Sequence, residues 1–168
     1  VLVALITQSL VKGWPKLNLD LIMNFPSSFP EKAGIQSAIF GTFWMVGIVL
    51  VVAIPIGVGA AVYMEEFADS EAWYNRFIDL IIQNLAAVPS IVYGILGLAF
   101  LSRGLLNLGP VVITAGLTLS FLVLPVVIIA SREAIRAVPS SILDGALALG
   151  ATRWQGVSRQ VLPASIPG

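Results

Sequence analysis

The sequence contains no cysteine and no histidine. That removes thiol nucleophiles, disulfides, imidazole acid–base chemistry and the commonest transition-metal ligands, and with them most catalytic constellations. Charge is scarce as well: Asp, Glu, Lys and Arg make up 11% of the 168 residues, and nine basic side chains balance nine acidic ones. A chain without net charge has no broad field to draw nucleic acid or an acidic partner. A GxxxxGK[ST] phosphate loop is missing, so the sequence carries no ATP-hydrolysing motif of that kind. What remains is apolar. Hydrophobic residues form 58% of the chain and the mean hydropathy is +0.96, so lipid is the expected solvent for most of it.

A membrane helix needs about 20 consecutive apolar residues. Three uncharged stretches meet that length, giving expected spans over 38–62, 80–102 and 110–131, and residues 1–11 read as the end of a truncated fourth. The opening "VLVALITQSLV" and the closing "VLPASIPG" lead to the expectation of a piece from the middle of a longer chain. Pro55, Pro89 and Pro125 lie one in each long run, where kinks are expected. For the second run an alternative is an interfacial helix from about Trp73 to Ala87 followed by a shorter re-entrant piece, because Gln83 and Asn84 precede Pro89. Arg132, Arg136, Arg153 and Arg159 follow the third long span, which places 132–167 and, by alternation, 65–77 on the cytoplasmic side. The four carboxylates Glu65, Glu66, Asp69 and Glu71 read as a solvated surface.

After Ser131 the pattern becomes amphipathic. Pro139 ends the helical extension "REAIRAVP". Ser141 with Asp144 forms a capping-box pattern opening a helix with Ile142, Leu143, Ala146 and Leu147 on one side, and Gly150 is the expected stop. Thr152 with Gln155 repeats the pattern for a second helix with Trp154, Val157 and Val161 on one face, closed at Leu162 and Pro163. The expected product is a helical hairpin at the membrane surface. Its first helix, of about eight residues, is too short to be stable alone in water. The other face, with Ser141, Gly145 and Ala148, suits close approach of a protein partner. The competing reading, a helix lying on lipid headgroups, would want basic and aromatic residues that 141–149 lack.

The stretch "DGALALGATRWQGVSRQVLP" resembles the EAA loop of inner-membrane permease subunits of ABC importers. Asp144 stands for its Glu, Gly145 and Ala146 for its two Ala, Gly150 for its Gly, Gln160 for its Ile, and Leu162 and Pro163 for its final pair; Asp144, Gly145 and Gln160 depart from the pattern. The blocks "PIGVGAAVYMEEFA", "NLAAVPSIVYGILGLAF", "LPVVI" and "EAIRAVPSSILDGALALGATRW" are similar to phosphate-uptake (Pst) permeases, more to the A-type subunit than to its C-type partner. The resemblance implies an all-α, polytopic bundle of the type I importer (MetI-like) permease fold, one domain over 1–168, as a fragment lacking the first part of one span and the last two. It implies a bacterial-type inner-membrane protein that is not itself an enzyme, with no cofactor on this chain. ATP would be bound by a dimer of hydrolysing subunits, with a second, C-type permease and an external phosphate-binding protein as further partners. Asp144, Gly145, Ala146, Gly150, Leu162 and Pro163 would couple to the hydrolysing subunit.

For the substrate, phosphate, the long runs offer only Thr42, Gln83, Asn84, Ser90, Tyr93, Thr114, Thr118 and Ser120, whose ordinary role is helix packing. Arg132 and Arg136, four residues apart beyond the third span, are candidates for meeting an anion at the inner mouth, with Glu133 pairing to either. Other readings are a permease for sulfate or molybdate, a polytopic membrane enzyme, which lacks a His or Cys beside its acidic cluster, and a secondary transporter, which lacks a charge within its spans.

Overall fold

The computed structural model describes residues 1–29, 32–69, 71–104 and 106–167; residues 30–31, 70 and 105, within the expected loops 12–32, 65–77 and 102–110, and Gly168 lie outside the described residues. The chain divides into two compact units, Val1–Trp44 and Met45–Gly168. The first holds α1 (Leu2–Gly13) and α2 (Leu19–Met23), neither with a buried residue. Asn18 caps α2 by accepting a hydrogen bond from the Leu21 amide at 3.1 Å. The return to α3 (Gln36–Val62) is held by Ile35 N–H donating to the Leu21 carbonyl at 2.8 Å.

In the second unit, α3 continues through a wide π-helical turn, Tyr63–Phe67. Then follow α4 (Trp73–Ala86), α5 (Ser90–Leu96) with its own π-turn Gly97–Ser102, and α6 (Val112–Arg136). Among the described residues, two helices are long and apolar enough to cross a membrane, Gln36–Phe67 and Val112–Arg136. The expected 80–102 span is not one straight helix: Trp73–Ala86 and Ser90–Ser102 meet at a bend of 99°, the geometry of the alternative with a separate helix ahead of Pro89. The physical cause is local. Pro89 disfavours helix at Val88 and itself caps α5 with φ −56° and ψ 137°, and the Tyr93 hydroxyl pins the bend by donating to the Leu85 carbonyl at 3.0 Å. Pro55 and Pro125, by contrast, sit inside continuous helices.

The central helix is α6, against which α4, α5 and both π-turns of this region pack. On α3 the small residues Ala53, Gly57 and Ala61 recur every fourth position and are all buried. A Cβ on Gly57 would lie 2.6 Å from Val127 Cγ1, so its absence lets α3 and α6 approach closely. The hydroxyls of Thr118 and Ser120 donate at 2.8 Å to carbonyls one turn earlier in their own helix, which uses their protons within α6.

Candidate functional site

Beyond α6 the chain forms the expected hairpin. α7 (Ser140–Ala148) begins one residue before the predicted cap. Pro139, with φ −59° and ψ 132°, sets the entry, and no side chain caps the helix; the Ser141–Asp144 capping box does not form because both residues already lie inside it. The stop is as expected. Gly150 has φ +86°, its N–H donates to the Leu147 carbonyl at 2.9 Å, and Ala151 N–H donates to Ala146 at 3.1 Å, a Schellman pair that satisfies the last carbonyls.

The second capping box does form: Thr152 Oγ1 accepts from the Gln155 amide at 3.3 Å and Gln155 Oε1 from the Thr152 amide at 2.9 Å. It opens α8 (Arg153–Gly156), a π-turn (Val157–Val161) and α9 (Leu162–Ser165), consecutive turns of one helical path. The path does not close at Leu162 and Pro163 as expected; the wider π-turn carries it past the proline, whose missing N–H disturbs a regular α-helix.

The two arms of the hairpin have different surroundings. Val157 and Val161 are buried with Ala61, Val62 and Ile135 in a cluster that joins the ends of α3 and α6 to the hairpin. In α7 only Leu143 and Ala146 turn inward; Leu143 Cδ1 lies 2.6 Å from where a Cβ on Gly156 would stand, so that glycine lets the arms close. Ile142 and Leu147, predicted on the apolar side, are 37% and 38% exposed. Ser141, Asp144, Gly145 and Ala148 form an open outer face, and nothing lies within 4 Å of a Cβ built on Gly145. Of the six residues singled out for coupling, Asp144, Gly145 and Gly150 thus lie on the exposed surface of one short helix and its stop, Ala146 packs inward, and Leu162 and Pro163 belong to the other arm. Gln160 is exposed, so a polar residue is tolerated where the resembling pattern has Ile.

Sequence reasoning missed the carboxylates that meet this assembly. Glu65 and Glu66, read as a solvated surface, are 14% and 13% exposed in their side chains. Arg132 Nε donates to Glu65 Oε1 at 2.6 Å, and Arg136 Nε donates to Glu65 Oε2 at 2.9 Å, so one carboxylate receives both arginines. Arg132 Nη1 also donates to Asp79 on α4, and Arg136 Nη1 reaches Glu133 at 3.3 Å. Glu66 lies 3.8 Å from Arg153 Nη2, and the Arg153 guanidinium stands 5.9 Å from the Phe67 ring, itself 6.3 Å from the Trp154 ring. Glu133 therefore pairs with Arg136, and Arg132 is enclosed by two carboxylates of other helices. A polar cavity of about 330 Å³ lies among Glu65, Asn75, Asp79, Arg132 and Arg136. The signal that could have found Glu65 and Glu66 is their position directly after the uncharged stretch 33–64; the pairing itself is invisible without the fold.

Residues 53–168 match the family model described as the binding-protein-dependent transport system inner membrane component. The probable ABC transporter permease protein YqgI of Bacillus subtilis is 33% identical over 167 residues, covering 99% of this chain and 56% of that protein. The phosphate transport system permease protein PstC of Haemophilus influenzae is 32% identical over 97% of this chain and 60% of its own length, and PstA 1 of Mycobacterium tuberculosis is 33% identical over 93% and 49%. The chain thus spans about half the length of the curated relatives it matches. A-type and C-type phosphate permeases match at nearly equal identity, so the comparisons do not favour the A-type. No solved structure matches. The all-helical architecture and the family match agree on the type I importer permease fold. The chain belongs to the inner-membrane permease family of binding-protein-dependent ABC importers, whose membrane subunits are not themselves catalytic.

Proposed function

We propose that this chain is part of a permease that imports phosphate by alternating access, driven by ATP hydrolysed on a separate pair of subunits that α7 engages. The observation that carries the coupling role is the outer face of α7: Asp144, Gly145 and Ala148 are exposed on a helix that buries nothing fully and is fastened to both long spans through Val157 and Val161. A face of small residues suits a groove that grips a helix closely, and Asp144 supplies one charge for a basic partner. Gly150 ends the helix sharply, and Ala146 holds it to the second arm, with Leu162 and Pro163 behind. Further partners on this reading are a second permease subunit and an external phosphate-binding protein, in a bacterial inner membrane.

Phosphate rests on the names of the PstC and PstA relatives. YqgI, equally similar, carries no substrate in its name, which keeps sulfate and molybdate as the second reading. For the anion path, Arg136 is the better candidate of the pair: its side chain is 50% exposed, against 11% for Arg132, and its sheltered partner is Glu65. Glu133 would tune that contact.

The test is uptake of labelled inorganic phosphate, sulfate and molybdate into vesicles holding the assembled importer, with ATP supplied and with a membrane potential alone. Phosphate uptake that follows ATP is expected, and uptake that follows the potential overturns the reading. Gly150→Trp is expected to insert normally and to abolish uptake while ATP hydrolysis continues; normal uptake by that variant overturns the coupling role.

A further inference from the structure

We propose that Glu65 is a positioning residue for transport: it fastens the cytoplasmic-loop end of α3 to the end of α6, so that both spans follow the hairpin as one body. The inference rests on the coupling role proposed above for α7. Three observations lead to it. First, the two oxygens of one carboxylate are each taken by the Nε of a different arginine, and Arg132 and Arg136 are four residues apart on a single face of α6. Charge-assisted bonds from both oxygens fix the direction of the carboxylate as well as its distance. Second, the joint is sheltered. Glu65 and Arg132 are 14% and 11% exposed, so water and salt screen their attraction far less than at a surface pair, and loss of one partner strands the other.

Third, the same short segment faces two ways. Consecutive residues on a helical turn point roughly 100° apart. Accordingly Glu65 turns to α6 while Glu66 turns to Arg153 at the start of the hairpin's second arm, and Phe67 meets Trp154 beside it. Asp79 brings α4 to the Arg132 guanidinium. Ala61, Val62, Ile135, Val157 and Val161 pack together between α3, α6 and the hairpin. The π-turn Tyr63–Phe67 is therefore the place where α3, α4, α6 and the hairpin are joined. With Glu65 neutral, among the described residues Arg136 keeps only the exposed Glu133 and Arg132 only Asp79. A displacement of α7 would still reach α6, which runs into it through residues 137–139, and α3 would be left to follow through Glu66 and the apolar cluster alone.

The experiment uses the assembled importer in vesicles with inorganic phosphate. Glu65→Gln keeps the size of the side chain and removes its charge. Expected are recovery of the complex and ATP hydrolysis near wild type, uptake lower by about tenfold or more, and recovery of uptake in Glu65→Asp, since coupling energies between sites run to factors of this order. Uptake in Glu65→Gln within about twofold of wild type overturns the proposal. So does a parallel fall of uptake, ATP hydrolysis and complex recovery, which would mark a role in folding alone. Gly150→Trp measured alongside separates the two readings: normal uptake there removes the coupling role of α7, whereas normal uptake in Glu65→Gln alone removes only the joint. A second measurement needs no change at Glu65. The sequence has no cysteine, so spin labels on Tyr63→Cys and Ala137→Cys report the distance between the two helix ends. The same distance with and without ATP is expected, and a distance that changes between those states overturns the proposal.

Discussion

The two arms of the hairpin are of similar size and follow one another in the chain, yet one is anchored and the other is displayed. The arm from Arg153 onward buries Gly156, Val157 and Val161 against the ends of α3 and α6. α7 has no buried residue and leaves Asp144, Gly145 and Ala148 open. A helix of nine residues cannot stand alone in water. Here α7 is held at its ends, by Pro139 on one side and the Gly150 turn on the other, and by Leu143 and Ala146 at its back. The difference teaches that position and surface have been separated: one arm sets where the hairpin sits, and the other is free to be recognised.

The comparison is broken most severely by a charge in the anchoring arm. Val157→Asp places a carboxylate where the side chain is 0% exposed, and a loss of about 3 kcal/mol or more is expected, read as a large fall in the melting temperature of the purified protein. The same substitution at Leu147, on the displayed arm, is expected to shift the melt little. Closing the gap between the arms comes next. Gly156→Leu drives a side chain into Leu143, and overpacking of about 1–3 kcal/mol is expected in the same melt. Equal stability of this variant and wild type would mean that the arms are not in close contact.

The smallest effects compare a glycine of α7 with the glycine that ends it. Gly150→Ala forces an L side chain to φ +86° and should cost about 1 kcal/mol. Gly145→Ala meets nothing within 4 Å and should gain up to about 1 kcal/mol from helix propensity. Opposite signs in the two melts would sharpen the contrast between a glycine required by the backbone and one that keeps a surface open.

Much of the hairpin was legible in the sequence. The Gly150 stop and the Thr152–Gln155 box depend on residues within a turn of each other, so a local pattern suffices to predict them. The Ser141–Asp144 box has the same pattern and does not form, because Pro139 starts the helix one residue earlier. The bend at Pro89 was legible only as an alternative: a proline announces an interruption, and its neighbours decide whether the helix continues, as at Pro55 and Pro125, or breaks through 99°. For the site, the exposed residues Asp144, Gly145 and Gly150 were found by pattern, while the carboxylates of the joint were passed over as a wet loop. Acidic residues in a row look solvated until the fold supplies their partners.

Composition and periodicity by themselves determined that the chain is helical, that lipid is the solvent for its long runs, and where its short hairpin turns. Each of these follows from side-chain transfer free energies or from hydrogen bonds closed within a few residues. Apart from the local Glu133–Arg136 pair, which carboxylate meets which cation was decided by the tertiary structure. Glu65 finds Arg132 and Arg136 across 67 and 71 residues, and only the packing of α3 on α6, permitted by the missing side chain of Gly57, brings those charges to one place.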